Sequence, residues 1–405
     1  SYAAGPFLTP MTEDLGWTRA EFTIPRSLGG AFMALTGFLI GAWVDRLGAR
    51  PFMTTGIVVT AASLWLLGSI DALWSWIVLN GVILSVGAAM LGNLVVNVTM
   101  AKWFVELRGR AVALAAMGVS FAGIGVTPVL VWAIDAWGWR TAWEALAVAS
   151  LCLGLPFTLL MRRAPEDHGL HPDGRTDADV AAGPAARAAA DYSGSMTRRE
   201  ALRSATFYLL IVAFGLFVIN IGVMLLQTVP YMTDAGYDRA TGAMMIVVAS
   251  IPAMLAKPIW GHFIDRLEPK PLAAAGSAMT GVAMCVIVLS VSSGSLAGAY
   301  VGFFLLGVGW GGMIPLQEVI WASFFGRRYL GAVRGAALPF SLAFGAGAPL
   351  AVSWYHDVVG NYDGALIAVA VASFVAAGLI LAIRPPRRES ESPATRHTAN
   401  PRVVR

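Results

Sequence analysis

Gly41-Ala42-Trp43-Val44-Asp45-Arg46-Leu47-Gly48-Ala49-Arg50-Pro51 returns 220 residues later as Gly261-His262-Phe263-Ile264-Asp265-Arg266-Leu267-Glu268-Pro269-Lys270-Pro271. Each copy sets a glycine, an aspartate and an arginine between two long apolar runs. The correspondence continues outward from there. Ala101-Lys102-Trp103-Phe104 matches Ala322-Ser323-Phe324-Phe325 at an offset of 221, Pro128 matches Pro349 at 221, and Asp135 matches Asp357 at 222. Four landmarks at a nearly constant offset mark an internal duplication. Parallel repeats of this kind are one recognised plan of secondary transporters, with the solute site near the midplane between the halves.

The composition fits that plan. Of 405 residues, 57% are hydrophobic and 13% charged, against roughly 25% charged in soluble domains. A run of about 20 apolar residues crosses the hydrocarbon core as a helix. Eleven such runs are expected, at 23–44, 51–70, 74–100, 110–133, 143–161, 206–232, 241–263, 271–292, 296–321, 333–354 and 364–383. They must be helical, because backbone groups in lipid are satisfied only within the segment. Residues 1–11 read as the second half of a first helix whose beginning is missing. The expected fold is therefore an all-α membrane protein of twelve transmembrane helices in two six-helix halves. Residues 1–161 are expected to form the N-terminal half, 162–205 a linker, 206–383 the C-terminal half and 384–405 a tail.

Charge sets the expected orientation. One set of connections holds Arg46, Arg50, Lys102, Arg108, Arg110, Arg266, Lys270, Arg327, Arg328 and Arg334; the other holds only Arg19, Arg26, Arg140 and Arg239. The positive-inside rule puts the first set, the linker, the tail and both termini in the cytoplasm. The expected location is the inner membrane, with the lipid bilayer as partner and a monomer as the assembly. Residues 162–196 are too poor in large apolar side chains to bury a core and read as a flexible linker. Thr197–Thr206 has helical spacing and reads as a surface segment before the next span. Cys152 and Cys285 lie in apolar segments of opposite halves and imply no disulfide framework.

Other function classes find little support. The five histidines, at 168, 171, 262, 356 and 397, show no metal-ligand spacing. No Gly-x-x-x-x-Gly-Lys phosphate loop is present, which argues against an ATP-driven pump. No cofactor motif and no nucleic-acid motif stands out, and the net charge of +4 is modest. The linker and tail are too short and polar for a folded signalling domain.

The Gly-x-x-x-Asp-Arg-x-Gly-x-Arg element resembles the signature loop of the major facilitator superfamily, and the resemblance covers essentially the whole chain. It implies that Gly41, Asp45, Arg46, Gly48 and Arg50 hold the halves together at the cytoplasmic side and control gating. Gly261, Asp265 and Arg266 carry the same role less fully, because Glu268 replaces the second glycine. The alternative is that these are simply topogenic loop charges.

Two further stretches resemble bacterial carriers related to monocarboxylate and oxalate–formate transporters. They are Tyr2-Ala3-Ala4-Gly5-Pro6 with Leu15-Gly16-Trp17-Thr18-Arg19-Ala20-Glu21, and Leu226-Gln227-Thr228-Val229-Pro230-Tyr231. In Ala256-Lys257-Pro258, Lys257 stands where monocarboxylate carriers hold an arginine that pairs with the substrate carboxylate. The resemblance implies a small anionic solute. An ionisable residue within a membrane helix usually faces a polar cavity, although a lysine near a helix end can instead snorkel to the surface. Two departures leave protons as coupling ion open: Ala253 replaces an aspartate one turn before the cation, and Pro6 is the nearest match to a first-helix lysine.

Further polar residues are candidates for the solute path. Asn220 and Gln227 share one face of the seventh helix, with Tyr231 at its end. Asn93 and Asn97 share a face of the fourth. Gln317 and Glu318 follow Pro315 in the tenth. Each amide can equally serve interhelical hydrogen bonding. Glu318 reads either as a proton acceptor or as a structural partner of Lys257. A small organic anion is the expected solute; export of hydrophobic compounds is the alternative.

Overall fold

The computed structural model describes residues 4–176, 192 and 194–386. Tyr2 and Ala3, most of the 177–193 stretch of the expected linker and the tail from 387 onward lie outside the described residues. Among those described, regular structure is entirely helical. We number the membrane helices α1 to α12.

α1 (Ala4–Leu15) is short and is held by aromatic packing: Phe7 stacks on Trp143 at 3.8 Å. α2 (Arg19–Leu47) opens on a reciprocal cap in which Thr18 and Glu21 satisfy each other's amides. α3 spans Ala49–Leu67. α4 (Leu73–Trp103) widens into a π-helical stretch at Ile77–Ile83 and breaks at Gly92 before its last portion, Asn93–Trp103. The hydrogen-bonded run Arg108–Leu160 is two helices, because Gly138 at φ 82° turns the chain. We take 108–137 as α5 and 139–160 as α6. The second half comprises α7 (Ala205–Asp234), α8 (Arg239–Ile264), α9 (Pro269–Ser292), α10 (Leu296–Phe325), α11 (Leu330–Val359) and α12 (Asp363–Ala382). Among the described residues, ten stretches are long and apolar enough to cross a membrane by length and composition.

Among the described residues these twelve helices fall into two six-helix halves, α1–α6 and α7–α12. The main packing between halves is α2 against α11 and α5 against α8. A belt of exposed apolar side chains, including Leu39, Trp43, Leu153, Leu289 and Leu350, faces outward. In water such a surface would drive aggregation; around a bundle of this length it meets lipid.

The beginning of the linker departs from the flexible coil expected of it. Residues 165–176 form two 3₁₀ turns that dock on the connection before α5. Asp173 accepts the amides of Val105, Glu106 and Leu107 at 3.1 to 3.2 Å, and Arg175 pairs with Glu106. Composition missed this because the docking uses charges and backbone amides, not an apolar core. The expected surface segment contains the helix Arg198–Arg203, capped by Thr197 and Glu200, with Ala201 buried.

Candidate functional site

The repeated loops sit together at the end of the bundle that carries the basic connections. Asp45, buried near the end of α2, accepts the backbone amides of Gly331 and Ala332 at 3.1 and 2.8 Å. Those amides open α11, so the carboxylate meets both unsatisfied donors and the positive end of a helix in the other half. Lys102 of α4 lies 3.0 Å from the same carboxylate. Asp265, just after α8, accepts the amides of Gly109 and Arg110 at 2.7 and 3.3 Å, at the start of α5. Burial raises the Asp265 carboxyl above its ordinary range, against the opposing pull of those amides. Beside it, Arg110 contacts His262 at 2.7 Å.

Glycines let the halves approach. A Cβ on Gly41 would lie 2.2 Å from the carbonyl oxygen of Gly331, and one on Gly331 would lie 2.4 Å from that of Gly41. Gly37 and Gly335 continue this contact one turn away, with 2.7 Å from a Cβ on Gly335 to the Gly37 oxygen. Small residues four apart on both helices thus bring the backbones together. In the second copy, a Cβ on Gly261 would meet Ala113 at 2.9 Å and the Gly109 oxygen at 3.0 Å. Gly48 acts differently, since its φ of 82° lets α2 end and α3 start without a spacer. Glu268 needs no such conformation, because α8 and α9 are separated by Asp265–Glu268. Arg46, Arg50 and Arg266 are exposed, and no carboxylate pairs with them among the described residues.

Deeper in the interface, Lys257 is 4% exposed and its Nζ donates to the carbonyl of Ala116 at 2.9 Å, joining α8 to α5 across the halves. Snorkelling would carry the ammonium toward Arg110 and His262. It bonds six residues further along α5 than Arg110, about 9 Å deeper. Asn97 is 5% exposed, and its side chain makes no hydrogen bond among the described residues. Asn93, at the break in α4, is exposed, and Gln317 is half-buried.

The other candidates are bonded within the second half. Asn220 is fully buried; it donates to Ser373 at 3.3 Å and accepts from Trp310 at 2.9 Å. Gln227 donates to Ser353 at 2.7 Å and to the Pro349 carbonyl at 3.3 Å. Tyr231 reaches Asp363 at 3.4 Å and packs edge-on against Tyr362. Glu318 pairs with Arg334, whose Nε lies 3.0 Å away and whose guanidinium also faces Trp321.

A family model described as the Major Facilitator Superfamily matches residues 1–348. The chain belongs to the major facilitator superfamily. This transporter is 24% identical over 359 residues to monocarboxylate transporter 13 of Rattus norvegicus, covering 88% of the chain and 76% of that relative. It is 23% identical over 310 residues to the sialic acid transporter NanX of Escherichia coli, covering 75% of the chain and 70% of that relative. In fold it is similar to the proton:xylose symporter XylE, with a TM-score of 0.73 at 12% identity over 94% of the chain and 90% of that structure.

Several residues of this transporter's interface are not apparent from its sequence. Lys102 and Arg334 count there only as topogenic charges, yet each pairs with a buried carboxylate. The duplication held the missing signal. Phe104 corresponds to Phe325, so the helix starts after them, 108–110 and 330–332, are equivalent places for the two aspartates to reach. Nothing in the linear sequence marks Glu166, which reaches from the linker to Arg327.

Proposed function

We propose that the protein is a secondary active carrier of small organic anions, monocarboxylates foremost, that works by alternating access in the inner membrane with its basic end in the cytoplasm. Lys257 carries this reading. Its ammonium is buried where the halves meet and bonds to a carbonyl of the opposite half. When the halves rock apart, that bond is exchanged for a solute carboxylate in the same place. Asn97 adds an amide available to a solute oxygen. Relatives named for monocarboxylates and sialic acid support an anionic solute. Gln317 and Asn93 are proposed to line the same path. The bonds of Asn220 and Gln227 favour a structural role in the second half.

The test is initial uptake of small carboxylates into proteoliposomes, with and without a proton gradient, normalised to inserted protein. Lys257→Gln should nearly abolish uptake, since removing one partner of a buried pair costs about 3–5 kcal/mol. Lys257→Arg should retain part of it, because charge survives while geometry changes. Near-normal carboxylate uptake by Lys257→Gln would remove the anion reading and favour export of hydrophobic compounds.

A further inference from the structure

We propose that a cleft at the basic end binds a phosphate-bearing anion, and that its occupation holds the two halves closed there. This rests on the alternating-access reading above and concerns a place distinct from Lys257. The cleft encloses about 430 Å³ between α2, the end of α4, the linker and the turn from α10 to α11. Ligand pockets run from about 300 to 1,000 Å³, so a phosphate with part of its ester fits.

Among the described residues its charge is unbalanced. Of those that line it, seven are cationic and three are acidic. Each acid is already paired: Asp45 with Lys102, Asp167 with Arg163, and Glu166 with Arg327. Arg46, Arg198, Arg199 and Arg328 remain without a carboxylate partner among the described residues. Two of these guanidinium groups are held by rings. Arg198 lies 4.0 Å from the centre of Phe38, and Arg328 lies 5.3 and 5.1 Å from those of Tyr192 and Tyr329. Charges that serve only to orient a membrane protein need neither a concave setting nor ring support. Converging, oriented arginines suit phosphate, whose oxygens take paired N–H donors.

The cleft also spans the moving parts. Arg46 belongs to α2, Arg328 to the turn before α11, and Arg198 and Arg199 to the helix after the linker. Separating the halves at this end must part Arg46 from Arg328. An anion bridging them therefore binds the closed form more tightly and shifts the population toward it.

The experiment uses the full chain in neutral detergent. Thermal unfolding is followed with inorganic phosphate, with short-chain phosphatidylglycerol or phosphatidylcholine, and with acetate at matched ionic strength. Nitroxide labels on Leu47→Cys and Leu267→Cys, in a Cys152→Ala, Cys285→Ala background, report the distance between halves. Phosphate or phosphatidylglycerol should stabilise the protein beyond acetate and shorten that distance. Arg199→Gln combined with Arg328→Gln, both exposed and without a carboxylate partner, should weaken the half-saturating concentration by about tenfold or more. A response to inorganic phosphate supports a soluble source, and one to phosphatidylglycerol alone supports a lipid headgroup. Stabilisation no greater than by acetate, a response that survives the double substitution, or an unchanged label distance would each overturn the proposal. The same titration on Lys257→Gln separates the two readings: an intact phosphate response with normal carboxylate uptake sinks the substrate reading alone.

Discussion

Asp45 and Asp265 make the same bond in opposite directions: each carboxylate leaves the end of its own helix and accepts the first amides of a helix in the other half, α11 for Asp45 and α5 for Asp265. The two helix starts therefore act as mutual latches, and the repeated aspartates are the tongues. Their bonds place both loops at one end of the bundle and tie the halves together there.

Asp45→Asn should slow turnover without changing the order of preferred solutes. The amide keeps the shape but leaves Lys102 buried without its anion, a loss of up to about 3–5 kcal/mol for a fully buried pair. The form closed at this end should lose about tenfold or more of its population. Uptake rates across a panel of solutes decide the matter; a new preference at normal rate would place Asp45 in the solute site instead.

Gly331→Ala should open the same end by crowding, with every charge retained. The added methyl would lie 2.4 Å from the Gly41 oxygen, which is backbone and cannot swing aside, and 3.1 Å from the Asp45 carboxyl group. Overpacking of this kind costs about 1–3 kcal/mol. Labelling of a cysteine placed at Ala42 should quicken in this variant. Unchanged labelling would mean that the helices part without strain.

Glu318→Gln and Arg334→Met should each lower thermal stability by several degrees, and the double variant should recover much of the loss. Each single change leaves a buried charge unpaired, whereas removing both leaves none. Additive losses would show that the pair contributes little beyond its separate contacts.

Asp265 should make closure pH-dependent. Burial raises its carboxyl above the ordinary range, so the closed form binds a proton more tightly than the opened, solvated form. Closure is then favoured at low pH and loses that advantage as pH climbs from the ordinary carboxylate value through the raised one. Asp265→Asn should flatten the profile of label distance against pH across this window. A profile that keeps its slope in the variant would assign the titration to another group.

The sequence by itself determined the solvent, the helices and the duplication. Apolar runs long enough to span lipid leave the backbone no alternative to helix, and a nearly constant offset between landmarks marks two halves. It also singled out Asp45, Asp265 and Lys257, because a charge beside or within an apolar run is costly unless a partner or a solute compensates it. What each charge meets was decided only by tertiary structure. The linear order cannot say that Glu318 faces Arg334, that the linker's Asp173 caps the turn before α5, or that Asn220 and Gln227 bond within their own half. Those partners lie on different helices. Hydropathy carries a helix's length and depth but almost nothing of its rotation about its own axis, and it is that rotation, set by packing, that brings one side chain to another.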